Sequence, residues 1–458
     1  MCVASYDRGW ESTWSAWFGF YSSGARRAGR LNRINVRCRI IRSLRILSYS
    51  YKSPKFCIIT DVDPIRNPYA PGAGSPPPEL AGRHEIRQDI EIRLQRVRLG
   101  RPAKSMMLVG LRGVGKTVLL DQMRRDAEAG GLHTVRIEAP EQRSLPALLA
   151  PALRLALLHL SKKEAAKEYA IRGLKALAGF AGKLKVHYRD IEVGLDYAPE
   201  AGLADNGDLE LDLGTLLAQV GAAARAAETA VVLFIDELQY VEEPQMAALI
   251  SALHRCAQEQ LPVTIVGAGL PQLRARMGDA KSYAERLFDF PEIGPLKPDD
   301  ARDAIVRPAE NEGVIIEDRA VDLIIAKTQG YPYFLQEWGK HTWDLAPASP
   351  IRYKDVVNAS DEAVAALDES FFRVRFDRLT PTEKRYLRAM AELGPDPQRS
   401  GDIADQLGRG VTSLAPTRAG LIGKGMIWSQ THGDTAFTVP LFDEFMKRIM
   451  PGEEWRRG

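Results

Sequence analysis

Two kinds of hydrophobic pattern alternate along residues 85–296 of the sequence. Short, fully apolar runs such as 106–109 and 231–235 are typical of buried parallel strands, which carry helices on both faces. Longer runs with apolar positions three and four residues apart, as over 85–99, predict amphipathic helices. Because strands and helices alternate, we expect an α/β domain with a parallel sheet over residues 105–296.

The pattern changes toward the C-terminus. Residues 297–360 show helical periodicity without strand signals, so we expect a small helical lid there. Residues 361–458 predict a mainly α domain of three helices followed by a two-stranded hairpin, which describes a winged helix. The first of these helices begins with a capping box formed by Thr380 and Glu383.

The remaining segments differ from these domains in composition. Residues 1–60 carry 11 Lys and Arg against two acidic residues, and several aromatic residues crowd their start. We expect a disordered tail or a misplaced start codon, and a nucleic-acid- or membrane-touching arm is the third alternative. Residues 61–104 hold a Pro/Gly-rich linker and a charged helix. Residues 140–228 are an insertion with predicted helices and a hairpin over 183–197, and segments of this length usually carry a function or a partner surface.

Composition and charge exclude several classes of protein. The net charge is +3, and beyond residue 60 the chain has 51 Lys and Arg against 57 Asp and Glu, so no large basic field argues for nucleic acid by itself. The four cysteines lack metal-ligand spacing and fit a reducing cytoplasm. Charged residues interrupt the apolar stretches, so we expect no membrane span and a cytoplasmic location.

The most informative stretch lies between a predicted strand and a predicted helix. Residues 110–117 have the pattern G-x-x-x-x-G-K-T, which in this context predicts a phosphate-binding loop. Glycines let backbone amides turn around an anion, and the helix N-terminus adds its positive dipole end. The residues expected to bind ATP here are Gly110, Gly113, Val114, Gly115, Lys116, Thr117 and Val118. An ordinary glycine-rich turn with a solvated lysine is the simpler alternative.

Individual side chains of this loop have expected roles. Lys116 is expected to reach the β- and γ-phosphates, and the Thr117 hydroxyl to bind Mg²⁺. A second motif follows the apolar run 231–235, which ends in Asp236 and Glu237. We expect Asp236 to hold the Mg²⁺ ion and Glu237 to orient or deprotonate the attacking water. A core strand that ends in a helix cap is the alternative, which the upstream loop disfavours.

The order of these parts resembles the AAA+ ATPases, and within them the origin-recognition and replication-initiation branch. That branch combines a P-loop domain, a helical lid and a C-terminal winged helix, and the resemblance covers residues 79–458. It implies that Leu80, Gly82 and Arg83 lie in the segment that cradles the adenine. It also implies an arginine finger that acts in a neighbouring subunit, for which Arg286 is the best match. A surface salt bridge is the alternative for Arg286.

Two positions depart from the family pattern. The lid helix that usually begins with a sensor arginine has the sequence GYPYFLQ at residues 330–336, and the strand tip at Gly267 and Ala268 lacks the usual Asn or Thr. Both departures predict slow hydrolysis, or a nucleotide switch rather than a motor.

Several functions therefore stay open. The first is an ATP-driven switch that engages double-stranded DNA through the winged helix, with Arg409, Arg418, Lys424 and His432 as candidate contacts. Residues 361–458 hold 14 Lys and Arg against 15 Asp and Glu, so the electrostatic footprint is weak and a protein partner is nearly as well supported. The second is a signalling or assembly ATPase that forms a homo-oligomer on binding ATP. The third is an accessory ATPase with the insertion as its docking surface. A metabolic kinase is disfavoured by the order of the domains.

Overall fold

The computed structural model describes residues 62–72, 76–139, 143–185, 197–429 and 433–456. The expectations for residues 1–60 and for His432 lie outside the described residues, as does most of the hairpin expected over 183–197.

A five-stranded parallel sheet forms the centre of the first half of the described chain. Its strands are β1 (Ser105–Val109), β2 (His133–Glu138), β3 (Val231–Asp236), β4 (Val263–Gly269) and β5 (Phe288–Asp289), in the spatial order β2-β3-β4-β1-β5. Every residue of β3 and β4 is buried, because helices cover both faces of a parallel sheet. The predicted α/β fold with a parallel sheet is confirmed.

In the described ranges, eight α-helices accompany these strands. They are α1 (His84–Arg98), α2 (Lys116–Ala129), α3 (Leu145–Leu160), α4 (Glu164–Leu184), α5 (Leu209–Ala226), α6 (Glu243–Gln258), α7 (Leu273–Ala280) and α8 (Ala284–Leu287). Side chains alternate across a strand, so β1 contributes to two cores. Met106 and Leu108 pack with α1 and α2, whereas Met107 and Val109 belong to the core formed with α3 to α7. The insertion helices α3, α4 and α5 therefore share the core on one face of the sheet.

The main elements of residues 298–377 are all helices. These are α9 (Pro298–Asn311), α10 (Asp318–Thr328), α11 (Pro332–Leu345), α12 (Tyr353–Ala366), a π-helical turn (Leu367–Phe372) and α13 (Arg373–Asp377). Trp338 and Trp343 of α11 are almost completely buried in their core. Among the helices in the described ranges, none is both long and apolar enough to cross a membrane.

Residues 381–456 combine helices with a small antiparallel sheet. The elements are α14 (Pro381–Leu393), β6 (Gln398–Arg399), α15 (Ser400–Leu407), α16 (Val411–Gly423), β7 (Ile427–Trp428), β8 (Asp434–Phe437) and α17 (Phe442–Ile449), and the strands pair in the order β6-β8-β7. The capping box of Thr380 and Glu383 is present at the start of α14. The sequence analysis missed β6, which is too short to show a period, and α17, whose Phe442 and Phe445 pack against Phe372.

Candidate nucleotide-binding site

A cavity of about 650 Å³ lies at the carboxyl ends of β1 and β3. These two strands are separated by β4, and both Met107 and Ile235 lie in register with Gly267. The segments that follow β1 and β3 therefore emerge at the same edge of the sheet. From these segments the cavity is lined by Arg112, Gly113, Val114, Gly115, Lys116, Thr117, Val118, Asp236 and Glu237. The structure thus brings the two predicted motifs into one site.

The loop between β1 and α2 needs its glycines. Gly113 and Gly115 have φ angles of 81° and 87°, in the left-handed region that side chains disfavour. A Cβ atom on Gly110 would overlap the carbonyl oxygen of Ile293, which the neighbouring chain segment places against the loop. The first turn of α2 carries no acidic residue, and its first residues face the cavity. A helix N-terminus in this position favours an anion.

Lys116 is the cation at the centre of this loop. It is buried, and its ammonium group donates to the carbonyl oxygens of Gly110 at 3.0 Å and Leu111 at 2.8 Å. Burial lowers the pKa of Lys116 to about 8, although the nearby carboxylates of Glu237 and Asp236 act in the opposite direction. A bound phosphate group would favour the charged form of this lysine.

Asp236 and Glu237 follow directly from the buried strand β3. Glu237 has a φ of 55°, and its backbone N–H donates to Oδ1 of Asp236 at 2.8 Å. A non-glycine residue in this region is strained, and such residues cluster at active sites. The Gln239 amide donates to the Glu237 carboxylate, while its carbonyl oxygen accepts from the Leu270 N–H at 3.0 Å. Gln239 therefore holds Glu237 in place, a role that the sequence analysis missed.

The oxygen donors of the cavity suit Mg²⁺. The Thr117 hydroxyl and the Asp236 carboxylate line the same space, and hard oxygen donors are the ligands that Mg²⁺ prefers. No group of three or more His, Cys, Asp or Glu residues able to hold a metal was found in the described part of the chain. Mg²⁺ usually takes one or two protein ligands and completes its shell with phosphate and water.

Part of the predicted adenine segment also lines the cavity. Leu80 and Arg83 line the cavity, and Arg83 donates to the carbonyl oxygen of Gly294. Gly82 does not line it. With a φ of 67°, Gly82 packs so closely on Asp300 that a Cβ atom would lie 2.6 Å from the carboxylate. The cavity is also lined by small and apolar residues, namely Ala70, Pro71, Gly72, Pro77, Leu296 and Ala304.

A second wall of the cavity comes from residues far along the chain. It contains Tyr333, Gln336, Phe371, Val374, Arg375, Arg378, Lys424 and Met426. Two backbone hydrogen bonds tie this wall to the phosphate loop, from Tyr333 to the Gly113 carbonyl at 3.2 Å and from Arg112 to the Thr438 carbonyl at 3.0 Å. No local motif marks these residues, so the sequence analysis assigned none of them to the nucleotide, and it assigned Lys424 to DNA.

Arg286 and Arg409 lie outside this cavity. Arg286 is exposed at the end of α8 and lines a separate cavity of about 630 Å³ with Lys104 and Arg274. Arg409 is exposed between α15 and α16. The arginine-finger and DNA-binding roles of these residues stay predictions.

Two other DNA candidates make contacts within the chain. Arg418 is half-buried and donates to Thr435 Oγ1 at 3.1 Å and Ser429 Oγ at 2.9 Å, which fixes α16 to the hairpin. Lys424 Nζ donates to Glu383 Oε2 at 2.7 Å while its side chain borders the nucleotide cavity. Because these groups are engaged internally, DNA binding through them stays a prediction.

The fold and the site define a P-loop nucleotide-binding protein. Residues 79–266 match the family model of the AAA ATPase domain, and this part of the chain is an AAA+ ATPase domain. Residues 369–446 match a second family model, described as a domain of unknown function (DUF8462).

The solved structures that match this chain have low sequence identity to it. The Walker-type ATPase PABY2304 of Pyrococcus abyssi is 15% identical, with 80% of this chain and 96% of that one covered and a TM-score of 0.47. The Orc1 protein of Aeropyrum pernix in complex with DNA is 16% identical, covers 81% and 94%, and has a TM-score of 0.42. The RuvB Holliday junction branch migration motor of Thermotoga maritima is 16% identical, covers 78% and 92%, and has a TM-score of 0.38. No curated protein sequence matches this chain.

Proposed function

We propose that this protein binds ATP with Mg²⁺ in the cavity and hydrolyses it slowly, as a nucleotide switch. The observation that carries the proposal is that Lys116 and Thr117 of one motif line the same cavity as Asp236 and Glu237 of the other. Lys116 contacts the β- and γ-phosphates, while Thr117 and Asp236 hold Mg²⁺, which neutralises phosphate charge. Glu237 orients the attacking water. Arg286 completes the site of a neighbouring subunit in this proposal.

Slow turnover is supported by the packing at the tip of β4. A Cβ atom on Gly267 would overlap Leu238 and Met107, and a Cβ atom on Gly269 would lie 2.9 Å from Oε1 of Gln239. This strand tip therefore has no room for a polar side chain directed at the phosphates. Since Gln239 also holds the Glu237 carboxylate, the water-activating group is engaged within the protein.

The switch function is supported by the contact between the phosphate loop and the C-terminal residues. In our proposal, residues 297–360 form a lid and residues 361–458 form a winged helix, as in the origin-recognition-like AAA+ branch. The N–H of Arg112 donates to Thr438, and Oη of Tyr240 accepts from Nη2 of Arg112 at 2.8 Å. A change at the γ-phosphate would therefore affect Arg112, which also contacts the C-terminal segment.

A second function, the assembly ATPase, has a specific observation in its favour. Because Arg112 and Lys424 link the C-terminal residues to the nucleotide cavity, this segment can clamp a closed monomer. Nucleotide binding would then release the segment toward a second copy or another protein. DNA binding has less support, because Arg418 and Lys424 are engaged within the chain.

The nucleotide site is tested with two variants. We expect Lys116→Ala to abolish binding of Mg-ATP in isothermal titration calorimetry, because the buried ammonium group that faces the phosphates is gone. Glu237→Gln is expected to retain ATP binding and to lower the hydrolysis rate by about 10²-fold or more. Equal ATP affinity in the wild type and in Lys116→Ala would contradict the proposal.

The trapped Glu237→Gln variant also separates the two functions. Its mass in solution, measured by light scattering with and without ATP, is expected to rise with ATP if the protein is an assembly ATPase. An unchanged mass, together with salt-dependent binding of a labelled duplex, would support the DNA-engaging switch instead.

A further inference from the structure

Arg375 lies on the second wall of the cavity and has no role in the function described so far. It belongs to α13, the short helix that follows the π-helical turn. The side chains of Phe371, Val374, Arg375 and Arg378 all line the cavity. Their spacing of three and four residues places them on one helical face. Arg373, two residues before Arg375, is exposed and does not line the cavity.

A series of contacts fixes Arg375 relative to the phosphate loop. The backbone N–H of Tyr333 donates to the carbonyl of Gly113, and the Tyr333 ring stacks on Phe371 at a centroid distance of 4.7 Å. The Arg375 guanidinium lies 4.1 Å from the centroid of the same Phe371 ring and donates to the Phe371 carbonyl. The guanidinium position is therefore determined by the loop that cradles phosphate.

The charge of Arg375 is poorly compensated by the protein. Among the described residues, no carboxylate forms an ion pair with it. Arg112 opposes its charge, whereas Tyr333, Tyr240 and Glu237 favour it. Burial and then Arg112 lower the pKa of Arg375 to about 10. A half-buried cation beside a second cation is costly unless an anion completes the site. The empty space before Arg375 is the nucleotide cavity itself.

We propose that Arg375 contacts the terminal phosphate of bound ATP, so that it distinguishes ATP from ADP. This inference rests on the proposed ATP site. The sequence GYPYFLQ at residues 330–336 contains no cation that could bind phosphate. The inference assigns this role to Arg375, which lies between residues 298–366 and 381–456. An arginine is suited to this role because its planar group can donate two hydrogen bonds to one phosphate.

The test compares Arg375→Gln with the matched control Arg373→Gln, which removes the same charge from the exposed face of the same helix. Affinities for ADP and for a non-hydrolysable ATP analogue are measured with Mg²⁺ by calorimetry. We expect Arg375→Gln to weaken analogue binding by about tenfold or more and ADP binding by less than about threefold. The control is expected to bind both nucleotides like the wild type. An equal loss for both nucleotides, or no loss in Arg375→Gln, would overturn the inference.

A second variant covers the case in which Arg375→Gln does not fold. Arg375→Lys keeps the positive charge over the Phe371 ring but cannot donate two parallel hydrogen bonds. We expect its preference for the analogue over ADP to fall by about threefold or more, and an unchanged preference would overturn the inference. A different result would contradict the proposed function. If Lys116→Ala binds ATP normally, the proposed ATP site is wrong. If Lys116→Ala loses ATP binding but Arg375→Gln keeps the wild-type preference for the analogue over ADP, only the role of Arg375 is refuted.

Discussion

The two walls of the nucleotide cavity are built in different ways. The first wall consists of the phosphate loop and the end of β3, where consecutive residues supply the glycines, the lysine, the threonine and the carboxylates. The second wall is assembled from Tyr333, Phe371, Arg375 and Lys424, which are separated by up to about ninety positions in the sequence. The first wall can form wherever a strand leads into a helix, but the second exists only when the helices beyond residue 298 have packed.

This difference indicates a division of work between the walls. The first wall has fixed geometry, because positive φ angles at Gly113 and Gly115 and the overlap at Gly110 leave the backbone few alternatives. The second wall is held to the first by two backbone hydrogen bonds, and its own Tyr333 and Phe371 rings stack on each other. In our proposal the phosphate loop provides binding, whereas the second wall senses which nucleotide is bound.

The largest expected effect comes from breaking the first wall at Gly110. In Gly110→Ala, the new methyl group would overlap the Ile293 carbonyl oxygen and approach Val114 to 3.2 Å. Since backbone atoms on both sides must shift, we expect a loss of at least about 2 kcal/mol in the free energy of unfolding, and with it the loss of ATP binding. Urea denaturation monitored by circular dichroism measures the first effect, and calorimetry the second.

Gly278→Ala is the control for this variant. Gly278 lies within α7, and a Cβ atom there would meet nothing within 4 Å. Alanine stabilises a helix interior relative to glycine by about 1 kcal/mol, so we expect equal or greater stability and unchanged ATP binding. A Gly110→Ala protein as stable as the wild type would show that the loop tolerates a different backbone path.

The first wall was predictable from the sequence because its chemistry is local. The pattern at residues 110–117 and the apolar run that ends at Asp236 each combine residue type, spacing and flanking elements. Parallel strands place their carboxyl ends on one edge, so the two motifs were expected to meet, and Met107 and Ile235 are indeed both in register with Gly267. The helices of residues 298–366 and the capping box at Thr380 were likewise encoded by short-range patterns.

The second wall was not predictable, for a physical reason. Whether Arg375 or Arg373 faces the cavity depends on the path of the π-helical turn Leu367–Phe372 and on the stacking of Phe371 with Tyr333. Lys424 has the sequence context of a surface cation at a helix end, but tertiary packing pairs it with the buried carboxylate of Glu383. Such pairings follow from the docking of distant segments, which no single stretch of sequence specifies.

Lys116 in the first wall is expected to make ATP binding depend on pH. In the nucleotide-free protein Lys116 has a pKa of about 8, whereas a bound triphosphate favours its charged form. Above pH 8, the neutral amine of Lys116 therefore has to take up a proton when ATP binds. We expect the Kd for ATP to rise by about fivefold between pH 8 and pH 9, with uptake of a proton on binding. Calorimetry in buffers of different ionisation enthalpy measures both quantities.

The stability of the nucleotide-free protein should respond to pH in the opposite direction. Lys116 keeps its proton up to about pH 10.5 when the chain is unfolded but loses it near pH 8 when folded. Between these values the unfolded state binds more protons, so the contribution of Lys116 makes the free energy of unfolding rise with pH. ATP affinity that stays constant from pH 7 to pH 9 would show that Lys116 is charged in the empty cavity and that burial does not control it.

The smallest expected effect comes from the second wall at Lys424. Its ammonium group donates to Glu383 at 2.7 Å and to the Arg378 carbonyl at 3.1 Å, and Glu383 in turn accepts from the Thr380 N–H at the start of α14. Burial alone would raise the pKa of Glu383, but the hydrogen bonds from Lys424 and Thr380 outweigh it and lower the pKa. The stability that Glu383 contributes is therefore present at neutral pH and is lost as the pH falls through its lowered pKa.

Lys424→Met removes this ion pair while keeping a chain of similar length. Because Lys424 is partly exposed, we expect a loss within about 1 kcal/mol in the free energy of unfolding at pH 7, a smaller loss at low pH where Glu383 is protonated, and less than about threefold weaker ATP binding. Lys447→Met, at an exposed position of α17, is the control and should leave both unchanged. Wild-type stability in Lys424→Met combined with a reduced affinity for duplex DNA would reverse the assignment, because Lys424 would then bind DNA rather than stabilise the fold through Glu383.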